Sequence, residues 1–130
     1  MKEVQKVKKF DELKFNNNNN TFNNKELILD NGKYIGQVVN GKPEGKGIAY
    51  YNDGDRYEGD FRNGYREGKG IYYYNDGDRY EGDFRNEKKE GKGIYYYNNG
   101  DRRMGDFLND KEIGKHVCLT NNGEIKIQNF

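Results

Sequence analysis

His116 and Cys118 stand two residues apart, a spacing that puts an imidazole and a thiol on one face of an extended strand. A nucleophile and its base need that kind of proximity. Asp53, Asp55, Glu58 and Asp60, repeated as Asp76, Asp78, Glu81 and Asp83, offer the carboxylate oxygens that calcium takes. Gly45 to Gly47, Gly68 to Gly70 and Gly91 to Gly93 have the Gly-x-Gly spacing of a phosphate loop. Lys46, Lys69, Lys92 and Lys115 recur at one interval. Such a ladder suits an anionic membrane surface, at about 1 kcal/mol per lysine. Tyr57, Tyr72, Tyr74, Tyr80, Tyr95 and Tyr97, with Phe61 and Phe84, supply rings with which a peptide can be gripped.

Context removes most of this chemistry. The acidic run lacks the alternating ligands, the glycine at six and the glutamate at twelve of a calcium loop. It reads as a solvated face with cross-strand ion pairs to lysines and arginines. No helix follows the Gly-x-Gly elements, and a phosphate cradle needs a helix N-terminus. No acid, base or metal cluster is left. The expectation is a non-enzymatic chain with no catalytic residues, no metal and no cofactor.

The elements that position these residues are repeats. Asp55 to Gly77 reads DRYEGDFRNGYREGKGIYYYNDG, and Asp78 to Gly100 reads DRYEGDFRNEKKEGKGIYYYNNG, an offset of 23 residues. Tyr34, Tyr57 and Tyr80 are equivalent, with Arg103 next. Gly36, Gly59, Gly82 and Gly105 form a row, as do Val38, Phe61, Phe84, Phe107 and Phe130. His116 takes a glycine position and Cys118 a position held by Ala or Tyr. That pair therefore reads as packing or capping groups of a degenerate end repeat. Residues 25–130 divide into four full repeats with a half-repeat at each end.

Each repeat reads as two strands. Tyr57 to Phe61 and Gly70 to Tyr74 alternate, Arg62 to Glu67 reads as the longer connection, and Asn75-Asp76-Gly77 as the tight turn. One face carries Tyr57, Gly59, Phe61, Gly70, Tyr72 and Tyr74, and is taken as the inner one. A glycine row inside strands needs a reason, and rings lying over bare backbone supply it. The other face carries Glu58, Asp60, Lys69, Ile71 and Tyr73. The stripe of Tyr50, Tyr73 and Tyr96 beside Ile48, Ile71 and Ile94 is a second apolar surface there. Ahead of the repeats, Val4, Val7, Phe10 and Leu13 predict a short amphipathic helix over residues 1–15, a candidate cap for the ribbon or for a neighbour's in a homodimer. Asn-rich residues 16–24 read as a linker.

Composition agrees. Aliphatic residues are scarce and 12 tyrosines take their place, so stacked aromatics rather than a thick core must order the chain. The net charge of +1 argues against nucleic acid as a partner. The single cysteine fits a reducing, intracellular setting, and no apolar run is long enough to span a bilayer as a helix.

Tyr57-x-Gly59-x-Phe61, Gly64, Gly68-x-Gly70 and Tyr72, and again Tyr80 to Tyr95, resemble the MORN-repeat (membrane occupation and recognition nexus) family. The first repeat departs at Val38 and Ala49, and the fourth at Arg103 and His116. The resemblance implies an all-β, single-layer antiparallel ribbon or solenoid of 23-residue hairpin repeats. It implies a scaffold or adaptor that receives a protein or peptide in an aromatic groove. The alternative is a peripheral membrane module that binds anionic phospholipid through the lysine ladder. The expected setting is cytoplasmic, with cytoskeletal or membrane association.

Overall fold

The computed structural model describes residues 3–9 and 24–130. The strands are β1 (Glu3–Lys9), β2 (Lys25–Leu29), β3 (Gly32–Val39), β4 (Lys42–Tyr51), β5 (Arg56–Arg62), β6 (Tyr65–Tyr73), β7 (Arg79–Arg85), β8 (Lys88–Tyr96), β9 (Arg102–Leu108), β10 (Lys111–Leu119) and β11 (Ile125–Asn129). They form one 11-stranded sheet in which spatial order equals sequence order. Every pairing is antiparallel, so each repeat contributes two neighbouring strands. This is the all-β ribbon of 23-residue units that the repeat pattern predicts.

The connections are the reverse of the expected ones. Asn63-Gly64 closes β5 to β6 as a two-residue turn with φ of 52° and 88°. Positive φ at both positions marks the turn whose twist matches a hairpin. Arg62 to Glu67 is therefore mostly strand, and Arg66 lies directly opposite Phe61. Asn75-Asp76-Gly77 belongs to the longer link, closed by the Tyr74 N–H donating to Asp78 O at 2.9 Å. Asp76 closes an Asx turn within it, accepting from Asp78 N at 2.9 Å. The Asn side chain stitches these links together, Asn75 Nδ2 donating to Asp53 O at 2.6 Å.

The N-terminal helix expectation is corrected over residues 3–9, which pair as β1 with β2. A helix of that length is marginal in water, since isolated helices below about 12–15 residues rarely hold. The outer edge of β2, by contrast, offers a row of backbone groups to a pairing strand. The rest of the expected helix, and the linker up to residue 23, lie outside the described residues.

The core sits on one face of the sheet. Tyr34, Tyr57, Tyr80, Phe61, Phe84, Phe107, Leu27, Leu29 and Ala49 form its buried cluster, the face assigned as inner. Glycine makes room for it. Gly70 faces the Tyr57 ring, and a Cβ there would fall 2.3 Å from Cε1 of that ring. The Tyr57 hydroxyl reaches beyond and donates to Asp60 O at 2.9 Å. Tyr34 and Tyr80 repeat the arrangement, donating to Gln37 O and Asp83 O.

Candidate partner-binding face

Two rows of rings run across the strands on the inner face. The lower row is a chain of edge-to-face contacts from Tyr34 to Phe61, Tyr57, Phe84, Tyr80, Phe107, His116 and Phe130, with centroids 4.9–5.4 Å apart. Each such contact adds about 0.5–1.5 kcal/mol beyond buried area. The upper row is Tyr51, Tyr72, Tyr74, Tyr95 and Tyr97, in contact at 4.8–6.0 Å. These side chains are half-buried.

The eight candidate ring residues therefore divide. Tyr57, Phe61, Tyr80 and Phe84 are at most 6 % exposed. They form the buried floor of this face. Tyr72, Tyr74, Tyr95 and Tyr97 lie at the surface with Tyr51. The Tyr72 and Tyr95 hydroxyls are fixed by donation to Asp55 Oδ2 at 2.8 Å and Asp78 Oδ2 at 2.9 Å. The same carboxylates accept from Asn75 N and Asn98 N through their other oxygen. Part of the acidic run is thus committed to holding the upper rings in place.

The expected groove is apolar, but cations stand between its rows. Arg66 lies 5.1–5.9 Å from the ring centres of Tyr51, Tyr57, Tyr72 and Phe84. Lys89 lies 5.4–5.8 Å from Tyr74, Tyr80, Tyr95 and Phe107. Arg103 sits among Tyr95, Tyr97 and Phe130 and pairs with Glu112. Arg66 donates to the Tyr51 hydroxyl at 2.9 Å and pairs with Glu87 at 3.4 Å. Lys89 donates to the Tyr74 hydroxyl at 3.2 Å. Ring quadrupoles hold these charges where water is thin. Burial, the largest cause, holds the Lys89 ammonium below the usual lysine value, with Asp110 opposing. Burial likewise pushes the Tyr74 hydroxyl up to about 12, helped by Asp110 and Asp55. Between Arg66 and Lys89 a pocket of about 280 Å³ opens against Tyr72 and Tyr74.

Arg66 and Lys89 are not legible as site residues while Arg62 to Glu67 is read as the longer connection. The signal was the register. With the turn placed at Asn63-Gly64, Arg66 falls on the ring face opposite Phe61, and Lys89 opposite Phe84.

The lysine ladder lies on the opposite face and is largely neutralised. Lys46 meets Asp60 and Lys69 meets Asp83 at 2.6 Å, and Lys92 meets Asp106 at 3.3 Å. Lys115 is opposite Asn129 instead. On that face Arg56 and Arg79 lie over Tyr73 and Tyr96, about 4 Å from the ring centres. His116 and Cys118 do not form a reactive pair with water access, because His116 is fully buried with Nε2 donating to Asp106 O at 2.9 Å.

A family model described as MORN repeat matches residues 34–56, 57–79 and 80–102. The matched units begin at Tyr34, Tyr57 and Tyr80, the three tyrosines that lie over glycine, and the match stops before Arg103. No curated protein matches the chain.

Proposed function

The chain belongs to the MORN-repeat family, whose units are modules for protein or membrane interaction, and from that premise we propose a non-enzymatic protein–protein adaptor or scaffold working in the cytoplasm. One observation carries the reading. The five tyrosines Tyr51, Tyr72, Tyr74, Tyr95 and Tyr97 form a half-buried, continuous row on a buried floor. Tyrosine gives a large contact area at low entropic cost, and a polar tip for orientation. Arg66, Lys89 and Arg103 set charges along that row, which favours a partner of defined register. The lysine ladder supports a lipid-binding role less well, because Lys46, Lys69 and Lys92 each already hold a carboxylate.

The test is affinity capture followed by mass spectrometry, with wild type and a Tyr74→Ala/Tyr95→Ala variant side by side. Co-sedimentation with phosphatidylserine vesicles at physiological salt runs in parallel. The adaptor reading expects partners that wild type captures and the variant loses, with both chains folded by circular dichroism. Partners that the variant retains, or tight vesicle binding lost on Lys69→Glu/Lys92→Glu, would sink it.

A further inference from the structure

The face opposite the rings changes character towards β11. Through the middle repeats it is a lattice of ion pairs. Arg56 meets Glu58 at 3.0 Å and Arg79 meets Glu81 at 2.8 Å, beside the Lys46–Asp60 and Lys69–Asp83 pairs. Towards β11 the anion positions change one after the other, while Arg102 and Lys115 keep their charges. The position of Glu58 and Glu81 is taken by Met104 and then Ile127, and that of Asp60, Asp83 and Asp106 by Asn129. Among the described residues, neither Arg102 nor Lys115 has a carboxylate within ion-pair distance.

The same exchanges join apolar residues that glutamate separates elsewhere. Ile71 is flanked in register by Glu58 and Glu81. Ile94 keeps Glu81 on one side but is paired on the other with Met104, Met104 with Val117, and Val117 with Ile127. That is an unbroken apolar row across β8–β11, with Leu119 and Ile125 paired beside it. Met104, Ile127 and Ile125 are 41 %, 59 % and 72 % exposed. Against Ile94 and Met104, the paired Gly93 and Gly105 floor a recess of about 450 Å³, whose rim also carries Glu81 and the Lys92–Asp106 ion pair. A solvated face gains nothing from Met and Ile where its repeats hold Glu, and contiguous exposed apolar surface marks a covered one.

We propose that the β8–β11 face opposite the rings docks an acidic protein segment anchored by apolar side chains. Its apolar residues lie along Ile94, Met104, Val117 and Ile127, with one filling the recess. Its carboxylates take the places of the missing partners of Arg102 and Lys115. Charge complementarity selects this occupant. Pairing of two such faces about a two-fold axis would set positive charge on positive. A lipid surface would answer the charge but has no side chain for the recess. The surface is separate from the tyrosine row, so the inference goes beyond the adaptor reading, and a chain that holds one partner on each face bridges them.

The test is an NMR titration of the full ¹⁵N-labelled chain with a short synthetic peptide alternating leucine with glutamate. A peptide with lysine for glutamate, and phosphatidylserine vesicles, serve as comparisons. Expected are shifts at the amides of Met104, Val117 and Ile127, and affinity that falls with salt as the Debye length shortens from about 10 Å to about 3 Å. Met104→Glu/Asn129→Asp rebuilds the ion-pair pattern on exposed positions. It is expected to weaken binding about tenfold with the melting temperature unchanged. Equal binding of the lysine peptide, no binding of either peptide, or shifts confined to Tyr72, Tyr74 and Tyr95 overturns the proposal. So does vesicle binding in place of peptide binding, or self-association of wild type that the double substitution abolishes. None of these outcomes depends on whether partners dock on the tyrosine row.

Discussion

The His116 imidazole fills the space that a Cβ on Gly105 would need, for such an atom would fall 2.4 Å from the ring. In the earlier repeats the relation runs the other way, with the ring on the first strand and the glycine on the second, as in Tyr57 over Gly70. His116 Nε2 donates to Asp106 O, the equivalent of the carbonyl at Asp60 that accepts from Tyr57. The fourth repeat has exchanged Tyr/Gly for Arg103/His116 and kept both the packing and the hydrogen bond.

That exchange predicts coupling between positions 103 and 116. Arg103→Tyr alone would drive a ring into His116, and His116→Gly alone would leave a void beside Phe107 and Phe130. Each is expected to cost about 2 kcal/mol or more in urea denaturation. The double variant restores the pattern of the other repeats and should recover at least about 1 kcal/mol of the summed loss. Strictly additive losses would show that the two positions are independent.

Glu87 occupies a left-handed turn position, φ 78°, where the first two repeats have glycine. Its carboxylate compensates by accepting from Arg66 N at 2.7 Å and pairing with the guanidinium. Glu87→Ala keeps the backbone strain and loses these contacts, whereas Glu87→Gly loses the contacts and relieves the strain. The alanine variant should therefore be less stable than the glycine variant by about 1 kcal/mol. Equal midpoints in denaturant would mean that the turn stores no strain.

The repeat period, the ring-bearing face and the glycine beneath each tyrosine were readable from spacing alone, because Tyr57, Gly59, Phe61 and Gly70 recur with little change. The hairpin order was not. Asn75-Asp76-Gly77 and Asn63-Gly64 both carry turn chemistry, and only the backbone φ values distinguish the two-residue turn from the longer link. Misplacing that turn hid Arg66 and Lys89 from the site. The row they belong to, Pro43, Arg66, Lys89 and Glu112, is cationic in only two of the four repeats, so periodicity alone does not reveal it. The strand at Glu3–Lys9 was missed for a different reason. It is formed by the demand of the β2 edge, a tertiary effect that local spacing does not contain.

Alkali should unfold the ribbon. Burial raises the hydroxyl of Tyr74 from 10.0 to about 12, and raises those of Tyr34, Tyr57, Tyr72, Tyr80 and Tyr95 as well. Above pH 10 the unfolded chain releases these protons while the folded chain keeps them. The folded state then binds more protons, so stability falls as pH rises from 10 through 12. Lys89, whose value is lowered, acts with the opposite sign below the ordinary lysine value of 10.5, but it is one group against six. A melting series should show the midpoint dropping above about pH 10, with tyrosinate absorbance rising together with loss of the sheet signal. A smooth tyrosine titration with the sheet intact would contradict the burial of these hydroxyls.

β1 covers the outer edge of β2. β2 is short, and Leu27 and Leu29 on it are buried in the ring-face cluster. Its backbone pairs with β3 on one side and β1 on the other. Without β1 the outer row of N–H and C=O groups is free to template another chain, the hazard of an uncovered edge strand. Deleting residues 1–23 should therefore lower the melting temperature and make sedimentation concentration-dependent. Ile28 lies opposite Lys33, on the face away from Leu27 and Leu29. Adding Ile28→Lys to the truncated chain puts a charge on the exposed edge and should restore the monomer without restoring the lost stability. A truncated chain that stays monomeric, with the melting temperature of the full one, would show that β1 pairing neither protects nor stabilises the ribbon.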